Sequence, residues 1–100
     1  MLIRQDPEEN EIRSLLHLAD LSGREVLEIG CGDGRLTWRY ASRAARVVAI
    51  DPFGPSIRQA RVNMPGTLQD RVELHEVGFM EFATANASAA FDVALLSWSL

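Results

Sequence analysis

The stretch Val26–Gly34, with the sequence VLEIGCGDG, decides the fold of this 100-residue chain. A short apolar run carrying one acid leads directly into three glycines at alternate positions. Glycines at the end of a strand let the backbone turn sharply and let a ligand lie against bare main chain. A second apolar run, Arg46–Ile50, leads into the acid Asp51. Together the two runs, the glycine turn and the distal acid predict a βαβ unit that binds a nucleoside.

The rest of the chain alternates helices and strands around that unit. A first helix is predicted to start at Asp6 and to carry an apolar stripe over Ile12–Ala19. The predicted strands lie near residues 25–29, 46–50, 72–77 and 91–96, with helices after the glycine turn and from residue 56. The small polar stretch Thr84–Ala90 is predicted to be a loop. This order predicts an α/β fold in one domain, residues 1–100, with a Rossmann-like, doubly wound, mainly parallel sheet and flanking helices.

The fourth predicted strand ends only a few residues before Leu100. An interior strand in that place would leave an apolar edge without a partner. We therefore expect residues 1–100 to be the N-terminal part of a larger domain, truncated after the fourth strand. A homodimer paired through the exposed edge of that strand is the alternative way to cover it.

Composition restricts the possible partners. The formal net charge is −4 and no basic cluster stands out, which predicts no nucleic-acid partner. Cys31 is the single cysteine, so the chain has no internal disulfide, as in reducing compartments. The sequence contains no apolar run of the about 20 residues that a membrane helix needs. His17 and His75 do not have the spacing of metal ligands, so we expect no metal site. We also expect a cytoplasmic protein without a membrane partner.

Two side chains near the glycine turn discriminate between nucleoside cofactors. A dinucleotide site has the spacing G-x-G-x-x-G, but Arg35 stands where its third glycine would be. Glu28 would repel a pyrophosphate and would suit a cationic ligand such as a sulfonium or an amino group. The charges therefore favour S-adenosylmethionine over NAD.

The same stretch resembles the first motif of the class I S-adenosylmethionine-dependent methyltransferases. The resemblance continues through Val48–Asp51, which is similar to the family's second strand with its ribose-binding acid. It reaches Phe91–Ser97, which is similar to the family's fourth strand. It covers about residues 21–100 and implies an S-adenosylmethionine cofactor.

The resemblance implies a set of cofactor-binding residues. They are Glu28, Gly30, Cys31, Gly32, Asp51, Pro52, Phe53, Gly78, Phe79 and Ser97. By this likeness the backbone of the glycine turn lies against the methionine part and the ribose, and Asp51 accepts from the ribose hydroxyls. Glu28 approaches the methionine amino group, and Ser97 lines the methionine end. Pro52 or Phe53 covers one face of the adenine.

The adenine end departs from the family pattern. Many relatives have Gly-Asp near the end of the third strand, whereas here Gly78 is followed by Phe79. Either Phe79 stacks on the adenine or Glu81 supplies the acid, and the sequence leaves both possibilities open.

The predicted function is methyl transfer from S-adenosylmethionine to a small molecule. Such a displacement needs mainly alignment of the acceptor, and a base only when the acceptor must lose a proton. The sequence shows no convincing base, so no catalytic residue is assigned. The alternatives are an NAD-dependent oxidoreductase and a non-catalytic module that binds a cofactor or pairs with a partner.

Overall fold

The computed structural model describes residues 2–5 and 21–97. Its strands are β1 (Leu2–Gln5), β2 (Glu25–Ile29), β3 (Arg46–Asp51), β4 (Val72–Glu76) and β5 (Val93–Ser97). Its helices are α1 (Thr37–Tyr40), α2 (Gly54–Asn63) and α3 (Phe79–Ala85), with a short 3-10 turn at Gly66–Leu68. The predicted first helix lies outside the described residues.

The strands form one five-stranded sheet in the order β1-β5-β2-β3-β4. Each neighbouring pair is parallel. From β2 the chain runs outward through β3 and β4, and it then returns to β5 on the other side of β2. The predicted Rossmann-like α/β fold is therefore confirmed, and the switch point lies between the carboxyl ends of β2 and β5.

The predicted open edge of the fourth strand is wrong. That strand is β5, and it is flanked on one side by β2 and on the other by β1. Leu2 pairs with Ala94 and Gln5 with Ser97, so β1 covers the length of β5 that was expected to be exposed. A homodimer through this edge is therefore contradicted. The four residues of β1 are too few to show a strand pattern in the sequence.

The predicted loop over Thr84–Ala90 is partly wrong, because α3 extends through Ala85. This helix has two turns at most and buries only Phe82 among its side chains. A single buried position gives no repeat at helical spacing, so the sequence pattern could not reveal it.

Each face of the sheet is covered by a separate set of apolar residues. Side chains alternate between the two faces along a strand, so Val26 and Leu27 point in opposite directions. One face packs against α1 and α2 through Tyr40, Ile57 and Ala60. The other face packs against Phe82 of α3. Glu28 follows the alternation of Val26 and so points to the side of α1, which places an acid inside the larger core.

Candidate functional site

The glycine turn is fixed to the end of the neighbouring strand. Gly30, Gly32 and Gly34 all have positive φ values, of 80°, 58° and 87°. The backbone N–H groups of Gly30 and Cys31 both donate to the carbonyl oxygen of Ile50, at 2.8 and 3.1 Å. The turn therefore has a defined position over the carboxyl end of β3, in a conformation that residues with a Cβ rarely adopt.

Gly30 brings the ends of β2 and β5 into close contact. A Cβ built on Gly30 would lie 2.5 Å from the carbonyl oxygen of Ser97, the last residue of β5. Ser97 is thus placed beside the turn, as expected for a residue at the switch point. The lack of a side chain at Gly30 serves this strand contact in addition to any ligand.

Replacing Gly30 with alanine is expected to destabilise the fold by about 1.5–3 kcal/mol, because it adds a clash with backbone to an unfavourable positive φ. Urea denaturation measures the effect. Gly66→Ala is the matched control, since a Cβ there meets nothing within 4 Å. Equal stabilities for the two variants would contradict the strand contact.

Asp51 holds two backbone groups with its two carboxylate oxygens. Oδ2 accepts from the N–H of Gly32 at 2.9 Å, and Oδ1 accepts from the N–H of Phe53 at 2.9 Å. The side chain is 8% exposed, so part of it faces the edge of the sheet. A carboxylate oxygen can accept a second hydrogen bond, so both oxygens keep capacity for a pair of neighbouring hydroxyl groups.

Aromatic rings are exposed beyond the ends of β3 and β4. Phe53 is 61% exposed and Phe79 is 46% exposed, which is unusual for residues of this type. Pro52 is exposed beside Phe53, and Gly78 is half-buried before Phe79. Because β3 and β4 are parallel neighbours, both rings lie at the carboxyl edge of the sheet. Rings placed in this way offer flat faces for a base.

Glu28 is fully buried and takes no direct part in the exposed edge. Its Oε1 accepts hydrogen bonds from the hydroxyls of Thr37 at 2.7 Å and Tyr40 at 2.6 Å. Its Oε2 is buried and has no hydrogen-bond partner in the described structure. Burial raises the pKa of Glu28, against the opposing effects of Tyr40, Thr37 and the Ser97 side chain. The predicted approach to a ligand amino group stays a prediction, and in this conformation the carboxyl group has no open surface.

The sequence pattern did not reveal the partners of Glu28. In the sequence Tyr40 has the pattern of an apolar packing residue of the helix after the glycine turn, and nothing distinguishes Thr37. Both lie in α1, nine and twelve residues after Glu28, on the face that packs onto the sheet. The available signal was a buried acid in a strand, which requires donors from the element packed against it.

The melting temperature of the Glu28→Gln variant, compared with that of the wild type, is expected to increase as the pH rises from about 4 to 8. Because folding raises the pKa of Glu28, its carboxyl group ionises at a lower pH in the unfolded chain than in the folded one. The wild type therefore loses stability as the pH rises from the ordinary pKa of glutamate toward the pKa in the folded state. Glutamine does not titrate and keeps an oxygen for Thr37 and Tyr40.

Glu73→Gln is the matched control, and its melting temperature relative to the wild type is expected to change with pH in the opposite direction. The Arg46 hydrogen bond lowers the pKa of Glu73, so its contribution is present at neutral pH and is lost as the pH falls. Thermal melts across the pH range check both variants. Parallel pH curves for wild type and Glu28→Gln would show that the buried carboxyl does not titrate as described.

Cys31 is placed in the turn as a small buried residue. It is 3% exposed, and its Sγ lies 3.7 Å from the carbonyl oxygen of Gly32. Burial, followed by the charges of Glu28 and Asp51, raises the pKa of the thiol and keeps it protonated. A protonated thiol is a poor nucleophile, so this site offers no thiolate chemistry.

A groove of about 350 Å³ lies under α3, against β4 at the edge of the sheet. Its lining includes Glu73, His75 and Phe82 but none of the ten predicted cofactor residues. Glu81 lines this groove, and its Oε1 lies 4.0 Å from the position of a Cβ on Gly78. The groove is therefore separate from the carboxyl edge of the sheet. The Glu81 side chain extends from the groove toward Gly78 at that edge.

The described residues contain no group of three or more potential ligands that could hold a metal ion. Within the same part of the chain, no helix is both long and apolar enough to cross a membrane.

Fold and edge together define a nucleoside-binding α/β domain. The positive-φ glycines leave bare backbone at the switch point, and Asp51 keeps free acceptor capacity next to it. Two exposed rings stand beyond the adjacent strands. Bare backbone would suit the methionine part, Asp51 the ribose hydroxyls and the exposed rings the adenine, so the residues present fit S-adenosylmethionine.

Comparison with known proteins identifies the family. Residues 26–100 match the model of the methyltransferase domain. The chain therefore belongs to the class I S-adenosylmethionine-dependent methyltransferases, and the predicted family and cofactor are confirmed. The alternative of an NAD-dependent oxidoreductase gains no support from this match.

Individual relatives are similar over parts of the chain. A tRNA U34 carboxymethyltransferase of Idiomarina loihiensis is 42% identical over 66 residues, which cover 62% of this chain and 20% of that protein. A ubiquinone biosynthesis O-methyltransferase of Leptothrix cholodnii is 37% identical over 73 residues, which cover 73% of this chain and 31% of that protein. The chain thus spans less than a third of the length of either relative.

A solved structure of a related protein agrees in fold. The RNA methyltransferase of Salinibacter ruber, in complex with S-adenosyl-L-homocysteine, is 30% identical with a TM-score of 0.71. The match covers 88% of this chain and 57% of that one.

The prediction that excluded nucleic acid as a partner is wrong. Relatives that are 42% and 45% identical to this chain are named for a modification of tRNA. Net charge averages over the whole surface and therefore does not report on a local binding site. The small-molecule acceptor stays a prediction, since relatives named for tRNA modification and for ubiquinone biosynthesis both match this chain.

Proposed function

We propose that this chain is the cofactor-binding part of an S-adenosylmethionine-dependent transferase that modifies a nucleoside of tRNA. The observation that carries the proposal is the similarity to tRNA U34 carboxymethyltransferases, at 42% identity over 66 residues in the Idiomarina protein. The likeness to an RNA methyltransferase with bound S-adenosyl-L-homocysteine supports the same acceptor class. A cytoplasmic location is part of the proposal.

The predicted residues provide the cofactor contacts in this proposal, except that Glu28 is buried behind the glycine turn and makes no direct contact in this conformation. Asp51 accepts from the two ribose hydroxyls, using the capacity that its backbone contacts leave free. Gly30, Cys31 and Gly32 present backbone to the ribose and the methionine part, and Ser97 lines the methionine end. Their support is that all of them lie at or beside the same carboxyl edge of the sheet.

The adenine lies between exposed side chains beyond β3 and β4. Phe53, next to Pro52, covers one face, and Phe79 after Gly78 contributes at the other side. Phe79 is favoured over Glu81 because its ring is exposed at the edge, whereas Glu81 lines the groove under α3.

The bound cofactor would supply an electrophilic carbon on its sulfonium: the acceptor atom would form a bond to that carbon as the carbon–sulfur bond breaks, and the neutral thioether would leave. The residues of this chain bind and orient the cofactor and keep its reactive end at the switch point. Alignment of this kind provides a large part of the rate enhancement in group transfer. The proposal assigns no general base to the described residues.

Calorimetric titration of the protein with S-adenosylhomocysteine, S-adenosylmethionine and NAD tests the cofactor site. Both adenosyl ligands are expected to bind, and NAD is not. Tighter binding of NAD than of S-adenosylhomocysteine would contradict the proposed site.

Incubation with unmodified tRNA transcripts and labelled S-adenosylmethionine tests the acceptor. Mass spectrometry of the digested nucleosides is expected to show an added group on one nucleoside, and the Asp51→Asn variant is the matched control. Cofactor binding without label in tRNA, together with turnover of a small molecule, would overturn the acceptor class alone.

A further inference from the structure

Three polar side chains form a buried cluster behind the glycine turn. Glu28, Thr37 and Tyr40 are all among the fully buried residues, with less than 2% exposure. Both hydroxyl groups donate to the same carboxyl oxygen, Oε1 of Glu28. This arrangement leaves Oε2 with no donor at ordinary hydrogen-bond distance, and the Ser97 side chain is a weaker neighbour of the same carboxyl group.

The unpaired oxygen is unfavourable in either protonation state. An ionised carboxylate leaves a buried acceptor without a donor, and a protonated one leaves a buried donor without an acceptor. Buried polar atoms in native proteins nearly always have partners, so an exception requires an explanation. A cationic donor at Oε2 would complete the cluster and favour the ionised form.

The position of Oε2 associates it with the reactive end of the site. Glu28 lies two residues before Gly30, and the carboxyl group interacts with the Ser97 side chain. Gly30 and Ser97 in turn are in contact at the switch point between β2 and β5. The proposed function places the methionine part of the cofactor at this point.

We propose that Tyr40 and Thr37 are positioning residues that hold the Glu28 carboxyl group so that Oε2 is reserved for the cofactor's ammonium group. This inference rests on the proposed function. The two hydroxyls occupy Oε1 and fix the rotamer, since both come from α1, which packs on this face of the sheet. The Glu28 carboxyl group is buried in this structure, so its contact with the ammonium group requires a bridging water or a shift of the glycine turn.

Two ligands separate positioning from a purely structural role. S-adenosylhomocysteine carries the amino group, whereas 5′-methylthioadenosine has the same adenosine and thioether without the amino acid part. Tyr40→Phe is expected to weaken S-adenosylhomocysteine binding about 5- to 20-fold and to change 5′-methylthioadenosine binding by less than about twofold. A general loosening of the core would weaken both ligands alike.

The dependence on Glu28 is tested in a double-mutant cycle. In a Glu28→Gln background, Tyr40→Phe is expected to change S-adenosylhomocysteine affinity by less than about twofold, because no carboxylate remains to be positioned. Thr37→Ser is the matched control, since it keeps the donating hydroxyl. If Tyr40→Phe does not fold, Thr37→Val replaces it in both measurements.

The outcomes are distinguishable. Equal losses for the two ligands, or an undiminished Tyr40→Phe effect in the Glu28→Gln background, would overturn the positioning role and leave the cofactor site intact. Failure of the wild-type protein to bind either ligand would overturn the proposed function and this inference with it.

Discussion

Replacing Asp51 with alanine is expected to weaken S-adenosylhomocysteine binding about 10- to 150-fold, which corresponds to losing an acceptor worth about 1.5–3 kcal/mol. The same change removes the acceptors for the N–H groups of Gly32 and Phe53. The variant is therefore expected to lose stability as well, by about 1–3 kcal/mol. Titration calorimetry and urea denaturation on the same preparation measure the two effects.

Asp33→Ala is the matched control, because Asp33 is an acid of the same turn. Among the described residues its Oδ1 accepts from the N–H of Arg35, at 3.1 Å, and Asp33 has no proposed ligand contact. This variant is expected to bind S-adenosylhomocysteine like the wild type. A folded Asp51→Ala protein with unchanged affinity would exclude Asp51 from the ribose site.

Changing Gly32 to valine is expected to reduce S-adenosylhomocysteine binding by more than about 100-fold. Gly32 has a φ of 58° and its N–H points to Asp51, so it sits where the proposed ribose meets the turn. A branched side chain there would fill the space of the ligand and would strain the backbone. Isothermal titration at a temperature well below the melting point measures the loss.

Backbone strain alone is controlled by Gly23→Val. Gly23 has a φ of 71°, and a Cβ there meets nothing within 4 Å. Both variants are expected to lose similar stability, while only Gly32→Val loses the ligand. Wild-type affinity in a folded Gly32→Val protein would place the cofactor away from this turn.

The central part of the fold was predictable because its signals are local. An apolar run that carries one acid and is followed by glycines predicted β2 and its turn, and a second run ending in Asp51 predicted β3. Right-handed crossovers in a doubly wound sheet place β3 and β4 on one side of β2 and β5 on the other, and the observed sheet order agrees.

The features that the sequence did not reveal depend on contacts between distant residues. β1 is recognisable only by its pairing with β5, and α3 only by the burial of Phe82. Tyr40 looks apolar in a periodicity count, although its hydroxyl serves Glu28. A net charge of −4 likewise carried no information about a local binding site, and the exclusion of nucleic acid that was based on it was wrong.

The place of β5 between β1 and β2 has a consequence for how the sheet assembles during synthesis. β5 is the last of the described strands to leave the ribosome, yet it belongs between two strands that are made earlier. Until it arrives, β2 can pair only with β3, and Leu2–Gln5 has no strand to join. A nascent chain should therefore complete β2, β3 and β4 first and close the remaining part in one late step, in which β5 enters and recruits the earlier segment Leu2–Gln5.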